Sequence, residues 1–185
     1  MMKAVFETEF FKDNIVNVDF WYTTSDDNSL DFVHGVSHYV EKLTGVINWE
    51  PRFVTWACPM CPDDYKEANC VSDGKYCAMR KNSNLRISGA ELLHEDLRQF
   101  CLHSLTKDHE SSGIFFGAKE LAMSKLINSK ALAPQAIYFE YLKRAHELYE
   151  TRISEEESEK LMDNFGIDFG KIQECVNETF EGPNH

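Results

Sequence analysis

The chain has 185 residues, 31 acidic against 19 basic, and a formal net charge of −12 with its seven histidines neutral. A domain this acidic meets a nucleic-acid backbone or an anionic membrane surface with like-charge repulsion, so no nucleic acid is expected as a partner. With 43% apolar residues, including 13 Phe, seven Tyr and three Trp, it has the bulk for one sizeable core, which argues against a disordered chain.

No run approaches the roughly 20 apolar residues of a membrane helix, so no direct membrane span is expected. The start, Met1-Met2-Lys3-Ala4-Val5-Phe6-Glu7, lacks the apolar stretch of a signal peptide. Yet Cys58, Cys61, Cys70, Cys77, Cys101 and Cys175 form an even set, four of them packed into 20 residues, which points to disulfides in an oxidising compartment. A piece cut from a longer precursor reconciles the two, and so does an oxidising space reached without a cleavable signal.

In chain order, Ile15 to Tyr22 reads as a mostly buried strand, rich in β-branched and aromatic residues, ending in the polar cluster Thr23-Thr24-Ser25-Asp26-Asp27. Leu30, Val33, Val36, Val40 and Leu43 then recur at helical spacing from Ser29 to Leu43, with Asp26 or Asp27 as N-cap. Val46 to Trp56 returns to strand composition, interrupted by Pro51. Strand, helix and strand in that order predict a βαβ unit, the seed of an α/β sheet. A cysteine-dense loop follows from Cys58 to Cys77, and after it come almost only helix signals. Ser88-Gly89-Ala90-Glu91 is a capping box, from which Leu92, Leu93, Leu97, Phe100 and Cys101 carry a helix toward Leu105. Further helices are predicted at about 114–127, 135–149, 155–165 and 168–180. Ser154 before Glu155, Glu156 and Glu157 caps one of them, and Gly166 stops it before Asp168 caps the last.

Cys58-Pro59-Met60-Cys61 is the sharpest chemical motif, because a CxxC pair between strand and helix is how oxidoreductases present an attacking thiolate. The plainer reading, which we favour, is that both cysteines belong to a local disulfide framework with Cys70 and Cys77. A zinc knot from the same four lacks a second CxxC or CxxH pair. His34 and His38 share a helix face without the acidic residue of an HExxH motif, so a solvated face is the better reading. Asn82, Asn84 and Glu91 echo a calcium loop, but Arg80 stands at its first ligand position and Leu85 where glycine is required. Neither a metal nor any other cofactor is expected. Tyr138, Phe139, Tyr141 and Tyr149 read as core, the run Glu155 to Lys160 as a solvated face, and Asn177-Glu178-Thr179 as a possible glycosylation sequon. No residue set assembles a nucleophile with its base.

Five stretches taken together carry a resemblance. They are Val18-Asp19-Phe20-Trp21-Tyr22-Thr23, Thr55-Trp56-Ala57-Cys58-Pro59, Cys70 to Ala78, Glu95 to Cys101, and Gly166 to Cys175. In order and much of their spacing, over about 15–178, they resemble the lumenal region of the vacuolar sorting receptor family, known from plants and from protists such as ciliates. The resemblance implies a thioredoxin-like fold with a helical, disulfide-bearing insertion, as also seen in bacterial disulfide oxidases. It places the active-site position after the first strand, at Thr24-Ser25-Asp26-Asp27, where there is no cysteine, while Cys58 and Cys61 begin the insertion. The family pattern carries one more cysteine pair where Ala145 and Glu157 stand here, and the chain ends before the closing thioredoxin half.

The fold class expected is therefore α/β and helix-rich: a partial thioredoxin-like βαβ platform over 1–57, a cysteine-rich loop over 58–87, an all-helical, disulfide-bonded insertion over 88–182 and a tail at 183–185. The expected function is that of a non-catalytic module, part of a larger chain or assembly, that binds protein partners through the helical insert and the exposed sheet edge. The secretory or endomembrane lumen is the compartment the resemblance implies. Two alternatives stand beside it. One is an accessory structural subunit of a larger complex, with the mitochondrial intermembrane space as the alternative compartment; the other is a thiol-disulfide oxidoreductase using Cys58 and Cys61.

Overall fold

A computed structural model describes residues 15–24, 26–78, 87–110, 134–149 and 154–181. The helix predicted at 114–127 lies outside these residues, as do Ser25, Arg80, Asn82, Asn84 and Leu85. Strand β1 (Val16–Tyr22) and strand β2 (Ile47–Phe53) pair in parallel, from Val16 opposite Ile47 to Tyr22 opposite Phe53, and helix α1 (Asp27–Leu43) connects them. Asp26 is the N-cap of α1, its carboxylate accepting from Ser29 N at 2.9 Å and Ser29 Oγ at 2.8 Å. The helix buries Leu30, Val33 and Val40, the stripe expected from their spacing.

Two readings of the strands need correction. β1 is buried on one face only: Phe20 and Tyr22 point inward, whereas Asn17, Asp19 and Trp21 are exposed. The outer face is a polar ladder, with Asn48 Nδ2 donating to Asn17 at 2.9 Å and Arg52 Nε to Asp19 at 2.8 Å. The strand's aromatic richness hid this alternation. Pro51, in turn, does not interrupt β2. The Val46 carbonyl accepts from Val16 N and Val54 N donates to the Tyr22 carbonyl, so the even-numbered residues of β2 bond β1. Pro51 falls in the opposite phase, where its missing N–H costs the ladder nothing.

Residues 58–77 hold more structure than a loop: helix α2 (Asp63–Asn69) and a two-residue hairpin of β3 (Cys70–Val71) and β4 (Tyr76–Cys77). The hairpin turns through Ser72, Asp73 and Gly74, all at positive φ. A side chain on Gly74 would lie 2.6 Å from the Cys58 carbonyl, so only glycine fits. Backbone bonds between Trp56 and Cys77 tie this unit to the segment that leaves the sheet, and Ala78 N donates to the Asn69 carbonyl within it.

Helix α3 (Gly89–Glu110) opens with the complete capping box: Ser88 N donates to Glu91 Oε2 at 2.6 Å and Glu91 N to Ser88 Oγ at 3.1 Å. It is buried nearly all round, which makes it the central helix. Helix α4 (Pro134–Tyr149) packs on both α1 and α3 and delivers Tyr138, Phe139 and Tyr141 to the interior. Phe139 meets Phe20 and Trp49 at ring distances of 5.6 and 5.4 Å. Helix α5 (Glu155–Asn164) is capped by Ser154, and Gly166 at φ 70° turns the chain into α6 (Phe169–Glu181). The Cys101–Cys175 disulfide fastens α6 to α3.

Candidate functional site

The carboxyl ends of two adjacent parallel strands are where open α/β sheets place their ligands. Here β1 runs out at Tyr22 and β2 at Phe53, and a cleft of about 290 Å³ opens beside them. Phe53 and Thr55 line it from the sheet, Val71 and Tyr76 from the hairpin, Leu93, Asp96, Leu97 and Phe100 from α3, and Thr179 from α6. Apart from one carboxyl and three hydroxyls, the wall is apolar. Neither Cys58 nor Cys61 reaches it.

Asp96 is 3% exposed. Its Oδ1 accepts from Thr24 Oγ1 at 2.9 Å, whereas Oδ2 has no hydrogen-bond partner among the described residues. Burial pushes this carboxyl up to about 8, helped by the neighbouring Glu95 charge and opposed by the Thr24 hydrogen bonds. The turn after β1 therefore divides its labour: Thr24 holds Asp96, Asp26 caps α1, and Asp27 sits exposed in the first helical turn.

Behind Asp96 lies a second, fully satisfied polar cluster. Glu95, completely buried, accepts from Arg98 Nε at 2.9 Å, Gln99 Nε2 at 3.0 Å, Tyr141 at 2.8 Å and Ser158 Oγ at 2.6 Å. Tyr22 donates its hydroxyl proton to Gln99 Oε1 at 2.6 Å, so at the 2.9 Å contact between the two phenols Tyr138 is the donor. Burial pushes the phenols of Tyr22, Tyr138 and Tyr141 upward, which keeps them neutral donors. His103 Nε2 lies 2.7 Å from the Trp49 carbonyl, an oxygen that only accepts, so this nitrogen carries the proton. Burial lowers the pKa of that imidazole.

The cysteines are all engaged. Cys58 pairs with Cys61 across a tight turn, Cys70 with Cys77 across the hairpin, and Cys101 with Cys175. These bridges consume the thiolates that a zinc knot of Cys58, Cys61, Cys70 and Cys77 would need. Met60, between the first pair, is 92% exposed. His34 and His38 stack edge to face at 5.6 Å on the exposed side of α1, and no cluster of three metal-ligating side chains occurs among the described residues. Asn177 is exposed on α6.

Reasoning from sequence missed Asp96 and Glu95 as buried groups. The available signal was their register: Leu92, Leu93, Asp96 and Gln99 follow the three- and four-residue spacing that places them on one side of α3. Acidic residues in an apolar stripe are the informative exception.

The family model described as vacuolar sorting receptor thioredoxin-like domain matches residues 16–184. Vacuolar-sorting receptor 6 of Arabidopsis thaliana is 23% identical over 184 residues, which cover 90% of this chain and 25% of the receptor. Vacuolar-sorting receptor 5 of the same plant is 22% identical over 179 residues. Vacuolar-sorting receptor 1 of Pisum sativum is 26% identical over 117 residues, covering 56% of this chain. The chain spans about a quarter of the length of the Arabidopsis relatives named here.

Proposed function

This chain belongs to the vacuolar sorting receptor thioredoxin-like domain family, and from that premise we propose that it is a non-catalytic protein-interaction module working in the oxidising secretory lumen. One observation carries the reading: the end of the sheet where a redox pair would act holds Thr24 bound to Asp96, and no cysteine lines the cleft. The three disulfides support the compartment, and the matched relatives bear the names of sorting receptors, not of enzymes. Within this reading, residues 1–57 form the platform, 58–87 the cysteine-rich brace and 88–182 the helical insertion that meets the partner. Thr24 to Asp27 stand as the degenerate active-site position, the six cysteines serve structure alone, and Asn177 is a glycosylation acceptor. No helix among the described residues is long and apolar enough to cross a membrane.

Incubation with insulin and a reductant tests the proposal. The chain is expected to leave insulin reduction at the uncatalysed rate, and cysteine-dependent acceleration would overturn it. A second reading, a structural subunit of a larger assembly, is favoured by the outer face of the sheet, where Trp21 is 62% exposed with Val46 and Val54 also open. Size-exclusion of the native protein separates the two, since a lone monomer of 21.4 kDa argues for the module.

A further inference from the structure

Asn177-Glu178-Thr179 is the single glycosylation triplet in the sequence, and the fold treats it in two opposed ways. All three residues are exposed, while Ile172 and Val176 of the same helix turn inward to the core. A sugar on Asn177 would therefore stand in solvent and cover no packed surface. The backbone, however, is wrong for attaching one. Such a triplet is modified as a unit, with the Asn amide and the Thr hydroxyl presented together, which an extended or turned segment allows. In α6 the two residues are rotated by roughly 200° about the helix axis, so Asn177 and Thr179 face nearly opposite ways. The Thr179 hydroxyl already donates to the Cys175 carbonyl at 2.9 Å. Cys175 is also bridged to Cys101 of α3, a residue with no exposed surface. Uncoiling the triplet thus means unwinding a helix that is pinned covalently two residues before Asn177.

We propose that Asn177 accepts its glycan only while α6 is unfolded, and that closure of the Cys101–Cys175 bridge ends the reaction, so glycosylation and oxidation compete for the same immature chain. The inference rests on the lumenal reading and deepens it, from an acceptor residue to the order of two modifications. In the first, Asn177 Nδ2 attacks the anomeric carbon of an oligosaccharide carried on a lipid pyrophosphate. The C–N bond forms, the lipid pyrophosphate leaves with the electrons of the broken C–O bond, and the amide proton passes to solvent. In the second, the Cys101 and Cys175 thiols give two electrons and two protons to a disulfide donor, which becomes a dithiol. Neither product blocks the other chemically. What excludes the late glycan is conformation: once the strap holds α6 to α3, the triplet reaches an acceptor shape only through local unfolding. A glycan already in place leaves the helix free to form, because Asn177 faces away from the core.

The test offers the full chain in two forms to purified oligosaccharyltransferase with a lipid-linked oligosaccharide. One form is oxidised and folded; the other is reduced and alkylated, so that no bridge can close. The alkylated chain is expected to gain one glycan, lost in Asn177→Gln, and the oxidised chain to react at least about tenfold more slowly, because it depends on rare opening of α6. In secretory cells, with the chain led into the lumen by an added signal peptide, Cys101→Ser leaves the triplet intact and is expected to raise glycan occupancy above that of the natural chain. Cys58→Ser with Cys61→Ser is the companion, since it removes a bridge remote from α6 and is expected to leave occupancy unchanged. Equal rates for the oxidised and alkylated chains, no glycan on either, or an equal rise in both cysteine variants overturns the proposal. The reconstituted reaction involves neither the compartment nor insulin, so the order of modification and the module reading fail separately.

Discussion

Two turns in this molecule differ in the chemistry their residues advertise and in where the fold puts them. The turn at Cys58–Cys61 carries a redox motif, yet it lies away from the cleft, closed on itself as a disulfide and tied by Cys58 N to the Gly74 carbonyl at 2.7 Å. The turn after β1 carries no reactive side chain, yet Thr24 reaches from it to Asp96, a buried carboxyl whose Oδ2 has no hydrogen-bond partner among the described residues, beside the cleft at the carboxyl end of the sheet. Motif and site have come apart. What makes a position functional in an α/β fold is where the strand ends bring it, and a CxxC moved to the next connection keeps its spacing while losing that place.

The contrast can be broken or sharpened by substitution. The largest effect is expected from the long bridge. Cys101→Ser with Cys175→Ser frees a loop with a sequence separation of 74 and is expected to cost roughly 4–5 kcal/mol in the chain-entropy account, measured by urea unfolding. Next, Glu95→Ala removes the buried carboxylate to which Arg98, Gln99, Tyr141 and Ser158 all donate. A loss of roughly 3–5 kcal/mol is expected, and a loss below 1 kcal/mol would show that the cluster is not the anchor behind Asp96.

Asp96 supplies a test in pH. Its carboxyl ionises near 3.8 in the ordinary state and near 8 in the fold, so between those values the folded chain binds the proton that the unfolded chain has released. The stability contributed by this group is complete below about pH 4, falls as pH rises and levels off above about 8. Asp96→Asn removes that fall, so its advantage over the natural chain grows through the window to a few kcal/mol. Melting temperatures at pH 4, 6 and 8 read it directly, and parallel curves for the two proteins would place Asp96 in water. The smallest effect belongs to the motif: Cys58→Ser with Cys61→Ser opens a loop with a sequence separation of only 3 and is expected to cost about 2 kcal/mol.

What could be read beforehand was local. Asp26, Ser88 with Glu91, Ser154 and Gly166 each announce a helix boundary through groups within three residues of it, and the structure uses all four. The apolar stripe of α1 was equally legible. What escaped depends on partners distant in sequence. The exposure of Trp21 follows from the described helices packing on only one face of the sheet, and Pro51 is accommodated because β1 lies on a single side of β2. Asp96 is buried through contact with Thr24, 72 residues away, which no spacing within α3 reveals. The carboxyl was visible as an oddity in a hydrophobic register, but only the packed structure turns the oddity into a site.

The Cys101–Cys175 strap has a consequence for the order of events during synthesis. Thr179, part of the cleft wall, sits one helical turn beyond Cys175. Strands, hairpin and central helix all precede it by more than 60 residues. The cleft therefore stands without its last wall until α6 has emerged, and that wall is fastened covalently only once Cys175 has been oxidised, so the cleft is completed as a late, sealed step of folding.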